Sequence, residues 1–166
     1  MTLLSDLTNL LGPAHVLTGP DATRLAHDWT GNYHGHPLAA VRPADTAEVA
    51  AVVKLAAAHK TPVIPVSGNT GLVGGTMTDG GLLLSLERLN RIREIRPASR
   101  LAVVEAGVIL SRLHDAAAEH DLYFPLWFGA RGSAMIGGVL STNAGGSYVL
   151  RYGSTRALCL GLEVVL

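Results

Sequence analysis

Apolar and polar positions alternate in short blocks along this chain, and glycine and proline punctuate the blocks. Residues 5–11 set Leu7, Leu10 and Leu11 among polar neighbours, the spacing of a short amphipathic helix, and Gly12-Pro13 ends it. Residues 16–18 read as a short strand, 21–29 as a helical turn, and the polar stretch 30–36 as a loop. Residues 38–42 form a strand stopped by Pro43. A well-marked helix follows. Asp45 caps it, Glu48 stands at the third position of a capping box, and Val49, Val52, Val53 and Ala56 recur on one face. Thr61-Pro62 breaks that pattern, and residues 63–66 make a buried strand. Strand, capped helix and strand together form a βαβ-like unit.

In the second half the pattern predicts strands at 82–86 and 101–105, with residues 89–95 leading toward another. Residues 110–120 are helical, with Leu110, Leu113 and Ala117 on one face. Residues 123–126 are extended, and 133–141 form a short helix capped by Ser133. The strongly apolar run 159–166 is a core strand, and the chain stops inside it without a turn or polar tail, so a truncation is expected. Neither repeat nor linker interrupts the sequence, which reads as one α+β piece.

Composition narrows the functional classes. Hydrophobic residues make up 48% and charged residues 16%, enough apolar material for a core. Thirteen basic side chains balance thirteen acidic ones, and no Lys/Arg run gives reason to expect nucleic acid or a membrane surface as partner. No apolar run has the length of a membrane span, and Asp6 and Asn9 interrupt the first leucines, against a signal peptide. Cys159 is the one cysteine and has no intrachain partner, which suits a reducing, cytoplasmic setting. Glycine is the outlier: 19 residues, concentrated at 68–81 and 129–153. Dense glycine marks turns or close approach to a ligand.

Three stretches are candidates for chemistry. The first, Pro65-Val66-Ser67-Gly68-Asn69-Thr70-Gly71-Leu72-Val73-Gly74-Gly75, directly follows a predicted strand. Its consecutive amides can form an anion-binding nest, and Asn69 and Thr70 can add side-chain hydrogen bonds. It lacks the Gly-Lys-Ser/Thr of a P-loop and the Gly-x-Gly-x-x-Gly of a dinucleotide fingerprint. The second runs from Gly129-Ala130-Arg131-Gly132-Ser133 through Gly137-Gly138 to Ser141-Thr142-Asn143-Ala144-Gly145-Gly146. A Gly-Ser helix start offers amides to a diphosphate or a flavin edge, and Gly137-Gly138 allows close packing, of a ligand or of the helix itself. The third is Arg151-Tyr152-Gly153-Ser154 with the strand after it, whose backbone either faces a flavin or is ordinary core.

Taken together, the three stretches resemble the FAD-binding domain of the vanillyl-alcohol oxidase/p-cresol methylhydroxylase flavoproteins, in particular the D-lactate and D-2-hydroxyglutarate dehydrogenase branch. The resemblance spans about residues 41–166, after an N-terminal helical segment 1–40, and is strongest over 129–166. It implies a p-cresol-methylhydroxylase-type fold of two α+β subdomains with FAD lying between them. By carry-over, Val66, Ser67, Gly68, Asn69, Thr70, Gly71 and Leu72 hold the FAD diphosphate. Glu105, Ala106, Gly107, Gly132, Ser133, Gly137 and Gly138 line the FAD groove, Ser141, Thr142 and Asn143 sit near the flavin, and Tyr152 and Gly153 lie close behind. Some relatives attach the flavin through a histidine in the first loop. None lies between Ser67 and Gly75, so noncovalent FAD is expected. Two departures are Ser67-Gly68, where two glycines are common, and Ser147-Tyr148.

The resemblance further implies oxidation of a D-2-hydroxy acid to the 2-oxo acid, with substrate-binding basic residues and metal-binding histidines far downstream. No catalytic base or metal ligand is expected in this chain, and a homo-oligomer stays open. Two rivals remain: a UDP-N-acetylenolpyruvylglucosamine reductase-like flavoenzyme, and a non-catalytic nucleotide-binding or interaction module. Elsewhere, His34 and His36 read as surface loop residues, and His114 and His120 as facing different ways. Trp127 and Phe128 either shield the flavin or pack in the core, packing being preferred. Arg131 and Arg151 pair with phosphates or with surface acids, and Cys159 reads as an inert buried thiol.

Overall fold

Thr2 opens the first helix. Its Oγ1 accepts the Ser5 N–H at 3.3 Å, and Ser5 Oγ accepts the Thr2 N–H at 3.1 Å. This capping box starts α1 (Leu3–Leu11) two residues before the apolar pattern predicts. The computed structural model describes residues 2–166. It divides into two compact units, one running to Arg88 and including Val164–Leu166, the other Leu89–Glu163.

In the first unit, α1 buries Leu3, Leu7 and Leu11 in a cluster with Val52 and Ala56 of α3 (Thr46–Ala58). Asp45 caps α3 as expected, its Oδ1 accepting the Glu48 N–H at 2.8 Å. The Glu48 carboxylate reaches back to the Ala44 N–H at 2.7 Å, one residue beyond the group a standard capping box uses. The helical turn expected over 21–29 ends early: α2 is only Pro20–Thr23. The buried Asp28 carboxylate accepts the N–H groups of Thr30 and Tyr33 and so draws the chain into a loop.

The sheet of this unit contains β1 (Val16–Leu17), β2 (Ala39–Val41), β3 (Val63–Val66) and β4 (Leu82–Ser85), in the order β1-β2-β4-β3. β1 runs antiparallel to β2, with Val16 opposite Val41. β2 and β3 both run parallel to β4, pairing Ala39 and Val63 with Leu82. The predicted β2-α3-β3 unit is present, but β4 lies between its two strands. β3 and β4 are therefore parallel neighbours joined by residues 67–81, with no helix between them. Leu82 and Leu84 join the cluster under α1 and α3, whereas Leu83 joins Ala22, Ala26, Ala40 and Val66 in another. That alternation follows from the two-residue period of a strand covered on both faces.

The second unit begins with a hairpin of β5 (Ile92–Arg96) and β6 (Leu101–Val104), closed by a turn over Pro97–Ser99 with Arg100 at φ +51°. α4 (Leu110–Ala118) presents Leu110, Leu113 and Ala117 inward, as its spacing predicts. The core holds Val108, Leu110, Leu113, Leu126, Ala134, Ile136 and Val139. Two expectations are corrected here. The helix predicted over 133–141 is α5 (Ile136–Ser141), entered from Met135 without a side-chain cap. Ser133 instead closes the preceding turn, its N–H bonded to Ala130 O at 2.9 Å. The run 159–166, expected as a core strand, pairs with no strand among the described residues. Its Leu160, Leu162, Val164 and Leu166 are exposed, and Cys159 is half-buried rather than buried. An alternating apolar run is a strand only where a partner supplies hydrogen bonds. A last helical turn, α6 (Val149–Tyr152), precedes it.

Candidate functional site

The glycine loop between β3 and β4 is built to leave its amides free. Asn69 at φ +49° and Gly74 at φ +66° turn the chain. Among the described residues, no hydrogen bond is donated by the N–H groups of residues 68–76. A Cβ added at Gly71 or Gly75 would meet nothing within 4 Å, so the protein's own packing does not require glycine there. Unpaired amides beside unfilled space suit an anion that approaches the main chain closely. The side chain of Asn69 is otherwise engaged. Its Nδ2 donates to His27 O at 2.8 Å and reaches Leu25 O at 3.4 Å, and its Oδ1 accepts the Thr76 hydroxyl at 2.7 Å. Val66, by contrast, is core.

Residues 25–36 support this loop, a role the sequence reading missed. Asp28 accepts from Tyr33 N at 3.0 Å, from Thr30 N at 3.2 Å and from the Thr30 hydroxyl. The Thr30 hydroxyl contributes most to holding the carboxyl below its ordinary pKa, against the effect of burial. The Tyr33 ring then covers Gly74, where an added Cβ would come within 2.8 Å of ring carbons. The signal was present as Asp28-Trp29-Thr30-Gly31-Asn32, an Asx-turn composition.

In the second unit, the candidate positions divide by what already occupies them. Burial raises the pKa of Glu105, but the hydrogen bonds and charge of Arg91, then Arg93, outweigh it and the carboxyl titrates below its usual range. Its oxygens are taken: Oε2 accepts Arg91 N at 2.8 Å, and Oε1 lies 2.9 Å from Arg91 Nε and 3.3 Å from Arg93 Nε. Gly107 N donates to Leu89 O, and Ala106 O accepts the Gly137 N–H at 2.7 Å. Ile136 N donates to Val108 O. The first two amides of α5 are therefore spent inside the protein, contrary to the expected anion-binding helix start. A Cβ at Gly137 would meet Ala106 Cβ at 2.8 Å, so helix packing accounts for that glycine.

Gly132 and Ser133 are exposed, with open space beside Gly132. Ser141, Thr142 and Asn143 are exposed at the end of α5. Arg156 binds Leu140 O at 3.1 Å and Ser141 O at 2.6 Å through its guanidinium, and its N–H reaches Asn143 Oδ1 at 3.0 Å. Tyr152 lies edge-on to Tyr148, with Arg151 over its ring at 5.2 Å. Arg131 stacks on Trp127 at 4.0 Å, so both undecided arginines sit on aromatic faces. His114 is buried between Tyr123 and Trp127, with ring centroids 5.7 and 5.3 Å away and neither ring nitrogen within hydrogen-bond geometry of a partner. Burial depresses its pKa. Phe128 packs on the core, as preferred. His36 is exposed and pairs with Asp79 at 3.1 Å. No helix among the described residues is long and apolar enough to cross a membrane.

Comparison with known proteins gives this geometry a context. Residues 37–166 match the family model described as an FAD binding domain. The chain is 45% identical over 146 residues to D-2-hydroxyglutarate dehydrogenase of Xanthomonas citri pv. viticola, a match covering 87% of this chain and 31% of that protein. It is 39% identical to mitochondrial D-2-hydroxyglutarate dehydrogenase of Bos taurus, covering 93% and 29%. It spans about a third of the length of such relatives. Among solved structures, alkyldihydroxyacetonephosphate synthase superposes with a TM-score of 0.85 at 17% identity, covering 95% of this chain and 31% of that one. The p-cresol-methylhydroxylase-type α+β fold expected from the sequence is the fold found. The free amides and open glycines of the loop after β3 fit a diphosphate, and with the family match over residues 37–166 they make this chain a member of the FAD-binding domain family, with FAD as its cofactor.

Proposed function

We propose that this chain is the FAD-binding part of a dehydrogenase that oxidises a D-2-hydroxy acid of the lactate or 2-hydroxyglutarate type to the 2-oxo acid. The observation that carries the proposal is the run of free amides over residues 68–76, in a chain 45% identical to a D-2-hydroxyglutarate dehydrogenase. The main chain of this loop holds the FAD diphosphate by donating N–H groups to its oxygens. The family resemblance assigns further FAD-lining positions at Ala106, Gly132-Ser133, Gly138, Ser141-Thr142-Asn143 and Tyr152-Gly153, where the N–H groups of Ser133, Thr142, Asn143, Tyr152 and Gly153 are already bonded within the protein. Glu105 stays with its arginines and acts as a brace rather than a ligand. Bound FAD supplies a hydride acceptor, the chemistry that the oxidation of a hydroxy acid requires. With no histidine in the loop, FAD is held noncovalently. Cys159 suits a reducing compartment, the cytoplasm in the first instance.

The test is a titration of the full-length protein with FAD, followed by flavin fluorescence and visible absorbance, with FMN as control. Saturable binding of FAD but not FMN is expected, followed by bleaching of the flavin on addition of D-2-lactate or D-2-hydroxyglutarate. FAD that stays with the polypeptide after denaturation would refute noncovalent binding. Binding without bleaching by any D-2-hydroxy acid would refute the substrate class.

A further inference from the structure

We infer that Asn69 and Thr76 form a clasp that holds the glycine loop open for the FAD diphosphate, and that Asn69 acts as a positioning residue rather than as a ligand. The inference rests on the phosphate-cradle reading above and adds what maintains the cradle. The two residues stand at either end of the stretch with free amides, and the Thr76 hydroxyl donates to Asn69 Oδ1 at 2.7 Å. The other end of the same carboxamide donates to His27 O and Leu25 O, and these two carbonyls fix which way the amide faces. One side chain therefore closes the loop on itself and fastens it to residues 25–27. Asn69 is also a residue type that tolerates the left-handed backbone at φ +49°. A second attachment acts at Gly74. Asp28 holds Tyr33 by its N–H, and the Tyr33 ring covers Gly74.

The consequence is preorganisation. A loop of this glycine content loses much conformational freedom on ordering, and one with free amides has few hydrogen bonds of its own to restrain it. The clasp meets that loss when the chain folds, so the ligand does not meet it on binding. Residues Thr70 to Gly75 then present their amides without side-chain ligands, and Asn69 does its work from outside the contact surface.

The experiment measures FAD affinity of the full-length protein in three variants. Asn69→Gly keeps the left-handed backbone and removes the carboxamide. Thr76→Val removes the hydroxyl at nearly constant shape, and Thr76→Ser restores it. Asn69→Gly and Thr76→Val are expected to bind FAD at least tenfold more weakly than wild type, with Thr76→Ser within threefold. The melting temperature of the apo-protein serves as control, since a change confined to FAD affinity marks positioning rather than general stability. FAD affinity in Asn69→Gly and Thr76→Val within twofold of wild type would overturn the clasp while leaving the cradle reading standing. Equal losses in Thr76→Ser and Thr76→Val would also overturn it. Absence of FAD binding by the wild type would remove the cradle and the clasp together.

Discussion

At the scale of single residues, His114 stands apart because neither of its buried ring nitrogens has a partner in good hydrogen-bond geometry. It sits among Tyr123, Phe124 and Trp127, with Arg131 over the Trp127 ring and Asp115 next to it in sequence on α4. Desolvation, reinforced by the charge of Arg131, lowers its pKa, and the carbonyls of Leu126 and Phe124 and the charge of Asp115 oppose this without prevailing. An unfolded histidine titrates near 6.5. The folded ring titrates lower, so its neutral form contributes fully above about pH 6.5, and that contribution falls as pH drops from there toward the folded value. His114→Phe keeps the stacking and removes both unsatisfied nitrogens. Urea denaturation between pH 8 and 5 is expected to give a flatter pH dependence than wild type and a gain of about 1 kcal/mol at neutral pH. Parallel pH curves for the two proteins would count against this reading. Nothing in the sequence marks this histidine, because its apolar neighbours come from residues 123–127 as well as from its own helix.

At the scale of elements, the Leu89–Val108 stretch is held by ion pairs as well as by its short ladder. Glu105, just after β6, collects Arg91 from just before β5 and Arg93 from within it, and Arg93 also reaches Glu163 at 3.2 Å. Glu105→Gln keeps the shape and removes the charge, and should destabilise by about 1–3 kcal/mol, since hydrogen bonds to charged groups exceed neutral ones. The carboxyl pKa is lowered on folding, so its stabilisation is complete above about pH 4.5 and is lost as pH falls through the folded value. The variant should therefore show a smaller loss of stability on acidification in that range, read by thermal melts from pH 5 to pH 3. Elements with strong local signals were legible. The Asp45 cap and the apolar faces of α3 and α4 carry their own period and stop signals. The short pieces were not. α2 ended early because Asp28 took the main chain into a turn, and the α5 boundary moved because Ser133 bonds backward to Ala130. In both, local side-chain and turn bonds competed with helix propensity, and a pattern of apolar residues does not report them.

At the scale of the whole molecule, the chain forms two compact units that meet after Arg88 in sequence, and the family match begins at residue 37. Residues 1–40 are built into the first unit, through α1 on α3 and β1 on β2. Those are contacts between distant positions, which composition and period do not encode. The candidate site was legible as loops, because glycine spacing and the absence of other motifs carry the signal. Which amides remain free could be read only from the fold. The loop between β3 and β4 spans residues 67–81, and its exposed Leu72 and Val73 belong to neither core cluster of the first unit. Deleting those two changes the closure entropy by only about 0.1 kcal/mol. Melts of this variant should match wild type while FAD affinity collapses, and unaffected affinity would show that the cradle does not depend on loop length.

The insertion of β4 between β2 and β3 also bears on synthesis. A nascent chain that has emerged as far as Val66 already carries both flanking strands, yet they never pair with each other in the finished sheet. The strand that joins them emerges last, on the far side of the glycine loop. Vectorial growth therefore cannot zip this sheet in chain order, and β2 and β3 wait with open edges until Leu82–Ser85 arrives. The loop of residues 67–81 is, during translation, the tether that sets when the sheet can close.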